Sequence, residues 1–274
     1  MSDTAADSNV YIHGHDDSVV QQHARRTAEE AAAFLLPRLQ AGMRLLDVGC
    51  GPGTITTGLA RYVAPGGVVA IDPAGGILRE ARAHARREQR DDVELSRASV
   101  YALPFADASF DVAYAHQVLQ HLTAPVDALS EMQRVLKPGA CVAVRDADYG
   151  TMVAWPKDPR IERFLQIYHQ VAERNGADAD AGRRIPSWLS AAGFSEIAIT
   201  TSTWTFTERD AILNWGDSWS ERILRSTVGE QALRHGLASQ EDLDTIARGW
   251  REWAREPDAF FTFVHVEGIG QRPG

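Results

Sequence analysis

Short apolar segments alternate with helical segments along residues 43–148 of the chain. The apolar segments are MRLLDVG (43–49), GVVAID (67–72), a weaker strand at 93–97, FDVAYAH (110–116) and ACVAVRDAD (140–148). GVVAID shows no alternation of polar and apolar residues, which is typical of a parallel strand covered on both faces. Strands that alternate with helices predict a doubly wound α/β sheet with helices on both sides and right-handed crossovers.

The segment LLDVGCGPGT (45–54) places Gly49, Gly51 and Gly53 directly after the first strand. A phosphate-binding loop of the Walker type needs a lysine after the last glycine, where this chain has Thr54. A dinucleotide fingerprint fits poorly, because its last glycine is also replaced by Thr54. The remaining D-x-G-x-G-x-G pattern is followed by Asp72 at the end of the next strand. Such a carboxylate can accept both hydroxyls of a ribose, so the pattern favours a nucleoside ligand.

Ligands of parallel α/β sheets bind beyond the carboxyl ends of the strands. The predicted strand ends place the glycine loop (residues 49–53), Asp72, Ser99 with Val100, His116 and Asp146 along one rim of the sheet. We therefore expect the functional site on this rim.

Four motifs in order resemble one known family. They are LLDVGCGPGT, VVAIDP (68–73), ALPFADASFDVAYAHQVLQHL (102–122) and the VLKPG turn (135–139). Together they resemble the class I S-adenosylmethionine-dependent methyltransferases, in particular the branch of the ubiquinone and menaquinone biosynthesis methyltransferases. The resemblance covers residues 41–148. It implies a Rossmann-like, seven-stranded sheet whose last strand is antiparallel, and AFFTFVHVEG (259–268) suits that strand.

The resemblance also implies a set of cofactor-binding residues that match the family's motifs. These are Asp47, Gly49, Cys50, Gly51, Gly53, Asp72, Pro73, Ser99, Val100 and His116. Asp72 would bind the ribose hydroxyls, and Pro73 would lie beside the adenine. Many relatives carry Asp where this chain has Ser99, so the resemblance does not carry over a side-chain contact to the exocyclic amine.

The N-terminal segment YIHGHDDSVVQQHARR (11–26) resembles a helix that closes over the cofactor in some family members. The resemblance implies that Tyr11 and Arg25 or Arg26 touch the carboxylate of the cofactor. An amphipathic helix is predicted over residues 18–40, with Asp17 or Ser18 as its N-cap. Residues 1–40 are thus an expected helical cap on a core of residues 41–150.

Beyond Gly150 the pattern changes. A helix is predicted from Asp158-Pro159 to Gly176, another near residues 183–192, and strands in EIAITTSTWTF (196–206) and in the last apolar run. Between these two strands lie about fifty residues, 207–257, with capping patterns at Thr207 and Ser239. We interpret this lid segment (residues 207–257) as a helical substrate lid within one structural domain, residues 151–274 completing the sheet.

The predicted reaction is methyl transfer to an O, N or C atom of a small molecule, which needs alignment more than acid catalysis. His116, His121 and Asp146 are the candidate general bases for an acceptor that must lose a proton. No metal is expected. A nicotinamide-dependent oxidoreductase and a noncatalytic S-adenosylmethionine-binding regulator or scaffold are the alternative functions.

The formal net charge of -9 argues against a nucleic-acid surface, and no apolar run is long enough for a membrane span. The only cysteines, Cys50 and Cys141, predict a reducing, cytoplasmic setting. We expect a monomer or homodimer. The tryptophan-rich lid segment favours an apolar or aromatic metabolite as the acceptor.

Overall fold

A computed structural model describes residues 26–274. Its seven strands form one sheet in the order β3-β2-β1-β4-β5-β7-β6. The strands are β1 Arg44–Val48, β2 Gly67–Asp72, β3 Val93–Arg97, β4 Phe110–His116, β5 Leu136–Trp155, β6 Ser195–Phe206 and β7 Phe260–Gln271. Strand β7 pairs antiparallel with both β5 and β6, and the other pairs are parallel. The predicted seven-stranded sheet with an antiparallel last strand is confirmed.

Nine α-helices accompany the strands in the described residues. They are α1 Ala28–Ala31, α2 Thr54–Val63, α3 Gly75–Arg87, α4 Pro125–Val135, α5 Pro159–Arg174, α6 Ala181–Ala191, α7 Arg209–Arg225, α8 Thr227–Arg234 and α9 Gln240–Trp253. Two 3-10 turns cover Leu36–Arg38 and Leu119–His121. Within residues 26–274 no helix is both long and apolar enough to cross a membrane.

The N-terminal helix differs in extent from its prediction over residues 18–40. Residues 18–25 lie outside the described part of the chain. From residue 26 onward the α-helix covers only Ala28–Ala31, and a 3-10 turn containing Pro37 follows. Proline lacks a backbone N–H and clashes with the preceding turn, so a continuous helix through position 37 is disfavoured.

Helices cover both faces of the sheet, as the run of apolar strands predicts. Alternate residues of β4 illustrate the two sides: Val112 and Tyr114 pack with the N-terminal segment, α2 and α3, whereas Ala113 and Ala115 pack with α4 and α6. We call these the α2 face and the α4 face of the sheet. Because consecutive side chains of a strand point to opposite faces, the register of each strand decides which of its residues reach which side.

The lid segment forms a third core with α5, against the carboxyl-terminal half of β5. Its tryptophans Trp215, Trp219, Trp250 and Trp253 are at most 3% exposed. The core also includes Tyr149 of β5 and two phenylalanines, Phe261 and Phe263, from the start of β7. The segment therefore stands at the edge of the sheet where the predicted rim lies.

The two capping predictions in the lid segment have different outcomes. Ser239 forms a reciprocal capping box with Asp242 at the start of α9, as predicted. The capping pattern at Thr207 is wrong, because α7 begins after Glu208 and that residue makes no side-chain cap bond. Strand β5 is also longer than its predicted segment, with an irregular register between Asp148 and Val153.

The close approach of α7 and α9 yields a prediction for stability. A Cβ on Gly216 would lie 2.5 Å from Ala254 Cβ and 2.6 Å from the Trp250 carbonyl oxygen. Gly216→Ala should therefore lower the free energy of unfolding by about 1–3 kcal/mol, the usual cost of overpacking. Chemical denaturation measures the change.

Gly76→Ala is the matched control, because only the end of the Arg79 side chain, at 3.9 Å, lies near its added Cβ. The control should be neutral or stabilise α3 by up to about 1 kcal/mol through helix propensity. Equal stability of the two variants would contradict the proposed contact between α7 and α9.

Candidate functional site

The register of the parallel strands brings their carboxyl ends to one edge. Val48 of β1 is level with Ile71 of β2 and with Ala115 of β4, and His116 is level with Arg145 of β5. The glycine loop after β1, Asp72 after Ile71 and the residues after β4 therefore adjoin one another. The strand order predicts this rim, and the structure has it.

The glycine loop turns back along the end of β2. The backbone N–H groups of Gly49 and Cys50 both donate to the Ile71 carbonyl oxygen, at 2.8 and 3.0 Å. Gly49 has φ +72°, and a Cβ there would lie 2.5 Å from Val118 Cγ2 in the loop after β4. Only glycine fits this position, because any side chain would separate the two loops.

Gly51 faces a different environment from its neighbour. Its φ is +53°, and a Cβ there would meet no atom within 4 Å. Its N–H donates to Asp72 Oδ2 at 3.2 Å, and Asp72 Oδ1 accepts from Ala74 N at 2.9 Å. An open backbone surface thus lies beside a carboxylate, which only accepts hydrogen bonds when it is ionised. This arrangement fits a ribose, whose hydroxyls are donors.

Asp47 is buried near the end of β1, against the first turn of α2. It is 3% exposed, and Thr56 Oγ1 in the first turn of α2 donates to its Oδ2 at 2.6 Å. Burial raises the pKa of Asp47 to about 7, against the lowering effect of the Thr56 hydrogen bond. Asp47 therefore shapes the site by tying α2 to β1.

The remaining cofactor candidates are spread along the same edge. Pro73 is exposed, and its carbonyl oxygen accepts from Arg97 Nε at 2.8 Å. Ser99 Oγ accepts from Tyr101 N at 3.3 Å, so its hydroxyl stabilises the turn after β3. Val100 and Cys50 are each 8% exposed. Burial raises the pKa of the Cys50 thiol well above its ordinary value.

The two N-terminal candidates differ in what the structure describes. Tyr11 lies outside the described residues. Arg26 is described, and its guanidinium carbon lies 5.1 Å from the centroid of the Trp204 ring. Trp204 belongs to β6, so this contact lies at the end of the sheet formed by β5, β7 and β6. Contact of either residue with a cofactor carboxylate stays a prediction.

The three candidate bases occupy unlike surroundings. Asp146 is fully buried, and its Oδ1 accepts from Gln120 N at 3.1 Å, so it caps the 3-10 turn Leu119–His121. Burial raises the pKa of Asp146 to about 7. His121 Nε2 lies 3.0 Å from Gln120 Nε2, and burial lowers the pKa of His121 to about 3.

His116 is the candidate that lies on the α2 face of the rim. It ends β4, is 7% exposed, and its ring lies nearly parallel to that of Tyr114 at 6.5 Å between centroids. Tyr114 in turn is level with Asp47 of β1. His116 therefore adjoins the glycine loop, whereas Asp146 points to the other side of the sheet.

A group of buried polar side chains beside His116 was not predicted from the sequence. Arg145, His265 and Glu267 are 1%, 0% and 6% exposed. Arg145 Nε lies 3.3 Å from Glu267 Oε1, and Gln117 Nε2 lies 2.8 Å from His265 Nε2. Polar residues at alternate positions of the apolar run FFTFVHVEG were the available indication of this group.

Between residues 26 and 274 no three or more His, Cys, Asp or Glu side chains lie close enough together to hold a metal ion.

Comparison with known proteins identifies the core. Residues 46–144 match the family model of a methyltransferase domain. The chain is 32% identical to the uncharacterized methyltransferase C1B3.06c of Schizosaccharomyces pombe, over 93% of this chain and 94% of that protein. It is 29% identical to the probable methyltransferase ltbC of Aspergillus luteorubrus, over 95% and 96% of the two chains.

The fold has solved relatives too. The YcgJ protein of Bacillus subtilis superposes with a TM-score of 0.60 at 18% identity, covering 89% of this chain and 98% of that one. The domain match, the likeness to C1B3.06c over nearly all of both chains and the shared fold lead to one conclusion. The chain belongs to the S-adenosylmethionine-dependent methyltransferases.

Proposed function

We propose that the protein transfers the methyl group of S-adenosylmethionine to an O, N or C atom of a small apolar or aromatic metabolite. The observation that carries this proposal is the open backbone at Gly51 beside Asp72, at the same edge of the sheet as His116 and an aromatic surface. The half-buried Trp204 contributes to that surface, and the buried Phe263 packs against it with 5.5 Å between the ring centroids. The buried tryptophans of the lid segment pack against each other and support it from behind.

When bound, S-adenosylmethionine supplies a methyl group activated on a sulfonium, and the transfer leaves a neutral thioether. The task of the chain is therefore to align the acceptor with that group and to keep water out. Orientation of this kind lowers a barrier by roughly 7–11 kcal/mol. Asp72 and the glycine loop hold the donor, and the wall made by the lid segment and the ends of β5 and β7 encloses the acceptor.

An O–H or N–H acceptor loses a proton as the new bond to carbon forms, so a base must receive it. We propose His116 for this role, because it lies on the α2 face beside the glycine loop. A pKa of about 3 makes His121 a weak base, and Asp146 is engaged by the backbone of the 3-10 turn. These contacts favour structural roles for the latter two.

We also propose that the protein acts in the cytoplasm, as a monomer or homodimer and without a nucleic-acid partner. Both cysteines, Cys50 and Cys141, are free thiols, which supports a reducing compartment. The net charge of -9 supports a small-molecule acceptor over a nucleic acid.

Asp72→Asn should weaken binding of S-adenosylmethionine by about 10–100-fold, because hydrogen bonds to a charged group contribute about 1.5–3 kcal/mol. Isothermal titration calorimetry measures the change, with S-adenosylhomocysteine as a second ligand. Asp91→Asn, an exposed change in the loop before β3, is the control and should bind as the wild type does. Unaltered affinity of the Asp72 variant would remove that residue from the cofactor site.

His116→Gln should lower kcat by roughly 10²–10⁴-fold for a hydroxyl acceptor, the usual contribution of a general base. The variant should still bind S-adenosylhomocysteine, which separates loss of the base from loss of the fold. Release of S-adenosylhomocysteine from a panel of phenols measures kcat. Full activity of the variant would exclude His116 as the base, and binding without any turnover in the wild type would favour a noncatalytic protein.

Asp146 should make the free energy of unfolding fall as the pH rises from 3.8 to about 7. Its pKa is about 7 in the folded chain and 3.8 ordinarily, so between these values the folded state holds a proton that the unfolded state has lost. That stabilisation disappears as pH approaches 7. Asp146→Asn cannot ionise, so its unfolding free energy should vary less between pH 5 and about 7 in urea titrations. Parallel curves for the two proteins would contradict the assignment.

A further inference from the structure

Strands β5, β6 and β7 bring five side chains together on the α2 face, next to the end of β4. We call them the arginine cluster: Arg145, Ser202, Trp204, His265 and Glu267. The register accounts for their proximity, since Arg145 is level with Glu267, and His265 is level with Ser202. Arg145, His265 and Glu267 are all less than 7% exposed.

Arg145 uses only part of its donor capacity within the cluster. Its Nε lies 3.3 Å from Glu267 Oε1, and its Nη2 donates to Ser202 Oγ at 3.0 Å. Its Nη1 has no hydrogen-bond partner among the described residues. A buried N–H group of a guanidinium without an acceptor is costly, because it has lost water and gained nothing. The position therefore requires an acceptor that the described side chains do not provide.

His265 supplies a second polar atom of this kind. Its Nε2 lies 2.8 Å from the Gln117 amide nitrogen, and its Nδ1 has no partner within residues 26–274. Burial, Arg145 and Arg26 together hold the pKa of His265 well below its ordinary value, so the ring is neutral. Because the amide nitrogen of Gln117 is a donor, His265 Nε2 accepts its hydrogen bond and His265 Nδ1 carries the ring hydrogen. The cluster then presents two unused donors, one on β5 and one on β7.

The local charge and shape both restrict what can meet these donors. The guanidinium carbons of Arg145 and Arg26 lie 5.6 and 5.1 Å from the Trp204 ring centroid, and the rings of Trp204 and His265 lie 4.5 Å apart. The guanidinium groups of Arg145 and Arg26 thus both contact the Trp204 ring, and among the described residues Glu267 forms the ion pair with Arg145. Ala147 is level with His265 and lies between Arg145 and Tyr149 on the same face of β5. Its methyl side chain adds little bulk there. A planar anion suits such surroundings.

The arginine cluster adjoins the predicted position of the methyl donor. His116 and Arg145 are register partners on neighbouring strands, which lie about 4.8 Å apart in a sheet. β4 in turn is the neighbour of β1, whose end carries the glycine loop. A small molecule bound at Arg145 would therefore lie within one side-chain length of His116.

We propose that the arginine cluster binds a carboxylate of the methyl acceptor, and that the substrates are small aromatic carboxylic acids. One carboxylate oxygen accepts from Arg145 Nη1 and the other from His265 Nδ1, while the aromatic ring packs against Trp204. This assignment rests on the proposed methyltransferase function and names its substrate class. The carboxylate anchors the acceptor, and an O, N or C atom elsewhere on the ring faces the donor.

The test measures binding of benzoate and of benzamide, which share a shape and differ in charge, to the full chain saturated with S-adenosylhomocysteine. Benzoate should bind at least about tenfold more tightly than benzamide, as expected for a charge-assisted hydrogen bond. Glu267→Gln, which removes the competing carboxylate and can keep its hydrogen bonds, should tighten benzoate binding further. Arg145→Gln alone would leave Glu267 buried and unpaired, so the double variant Arg145→Gln/Glu267→Gln replaces the pair with neutral groups.

The double variant should bind benzoate and benzamide equally and still bind S-adenosylhomocysteine. The double variant Arg183→Gln/Asp148→Asn is the matched control, because it neutralises another arginine–carboxylate pair, which lies on the α4 face with 2.7 Å between Arg183 Nε and Asp148 Oδ2. The preference for benzoate should persist in this variant. Equal binding of the two probes by the wild type, binding of neither, or a preference that survives in the double variant would overturn the assignment. Failure of the wild type to bind S-adenosylhomocysteine would instead overturn the methyltransferase function.

Discussion

The site depends on one carbonyl oxygen at the end of β2. Ile71 accepts hydrogen bonds from both Gly49 and Cys50, and the next residue, Asp72, accepts from Gly51. These three bonds hold the glycine loop against the strand and fix the direction in which its open side faces. The left-handed conformations that such a turn requires are inexpensive for glycine alone, and Val118 excludes a side chain at Gly49. The loop, β2 and the segment after β4 thus form one rigid unit.

The lid segment is packed against the rest of the fold through a shared apolar core. Its buried tryptophans share a core with Phe164 of α5, Tyr149 of β5 and Phe261 of β7. The rings of Phe164 and Trp219 lie 4.8 Å apart, and those of Trp253 and Phe261 lie 6.0 Å apart. Moving the whole segment would expose this apolar core to water, at a cost of about 25 cal/mol for each Å². Displacing the lid segment as a whole is therefore costly.

Much of the fold, and the position of the candidate cofactor residues along one rim of the sheet, could be predicted from the sequence. Apolar strands, the glycine spacing and Asp72 act locally, so each leaves a local pattern that the motifs preserve. The hydrogen bond of Asp146 could not be predicted in the same way, because its donor is the backbone of Gln120, in the 3-10 turn that follows β4. The cluster around Arg145 was missed for a related reason: it arises from the register of β5 with β7, which lies more than a hundred residues further along the chain. The early end of α1 and the start of α7 show that capping and proline effects compete with hydrophobic periodicity at helix ends.

The adjacent residues Arg145 and Asp146 point to opposite faces of β5, one toward the arginine cluster and the other toward the 3-10 turn. A shift of this strand by a single residue would exchange them, placing a carboxylate where the cluster has its cation. The α2 face would then carry the carboxylate and the α4 face the guanidinium. The long antiparallel pairing of β5 with β7, from Cys141 opposite Gln271 to Trp155 opposite Phe260, makes such a slip costly. The length of β7 therefore fixes which charged side chain of β5 lies on which face of the sheet, in addition to stabilising the sheet.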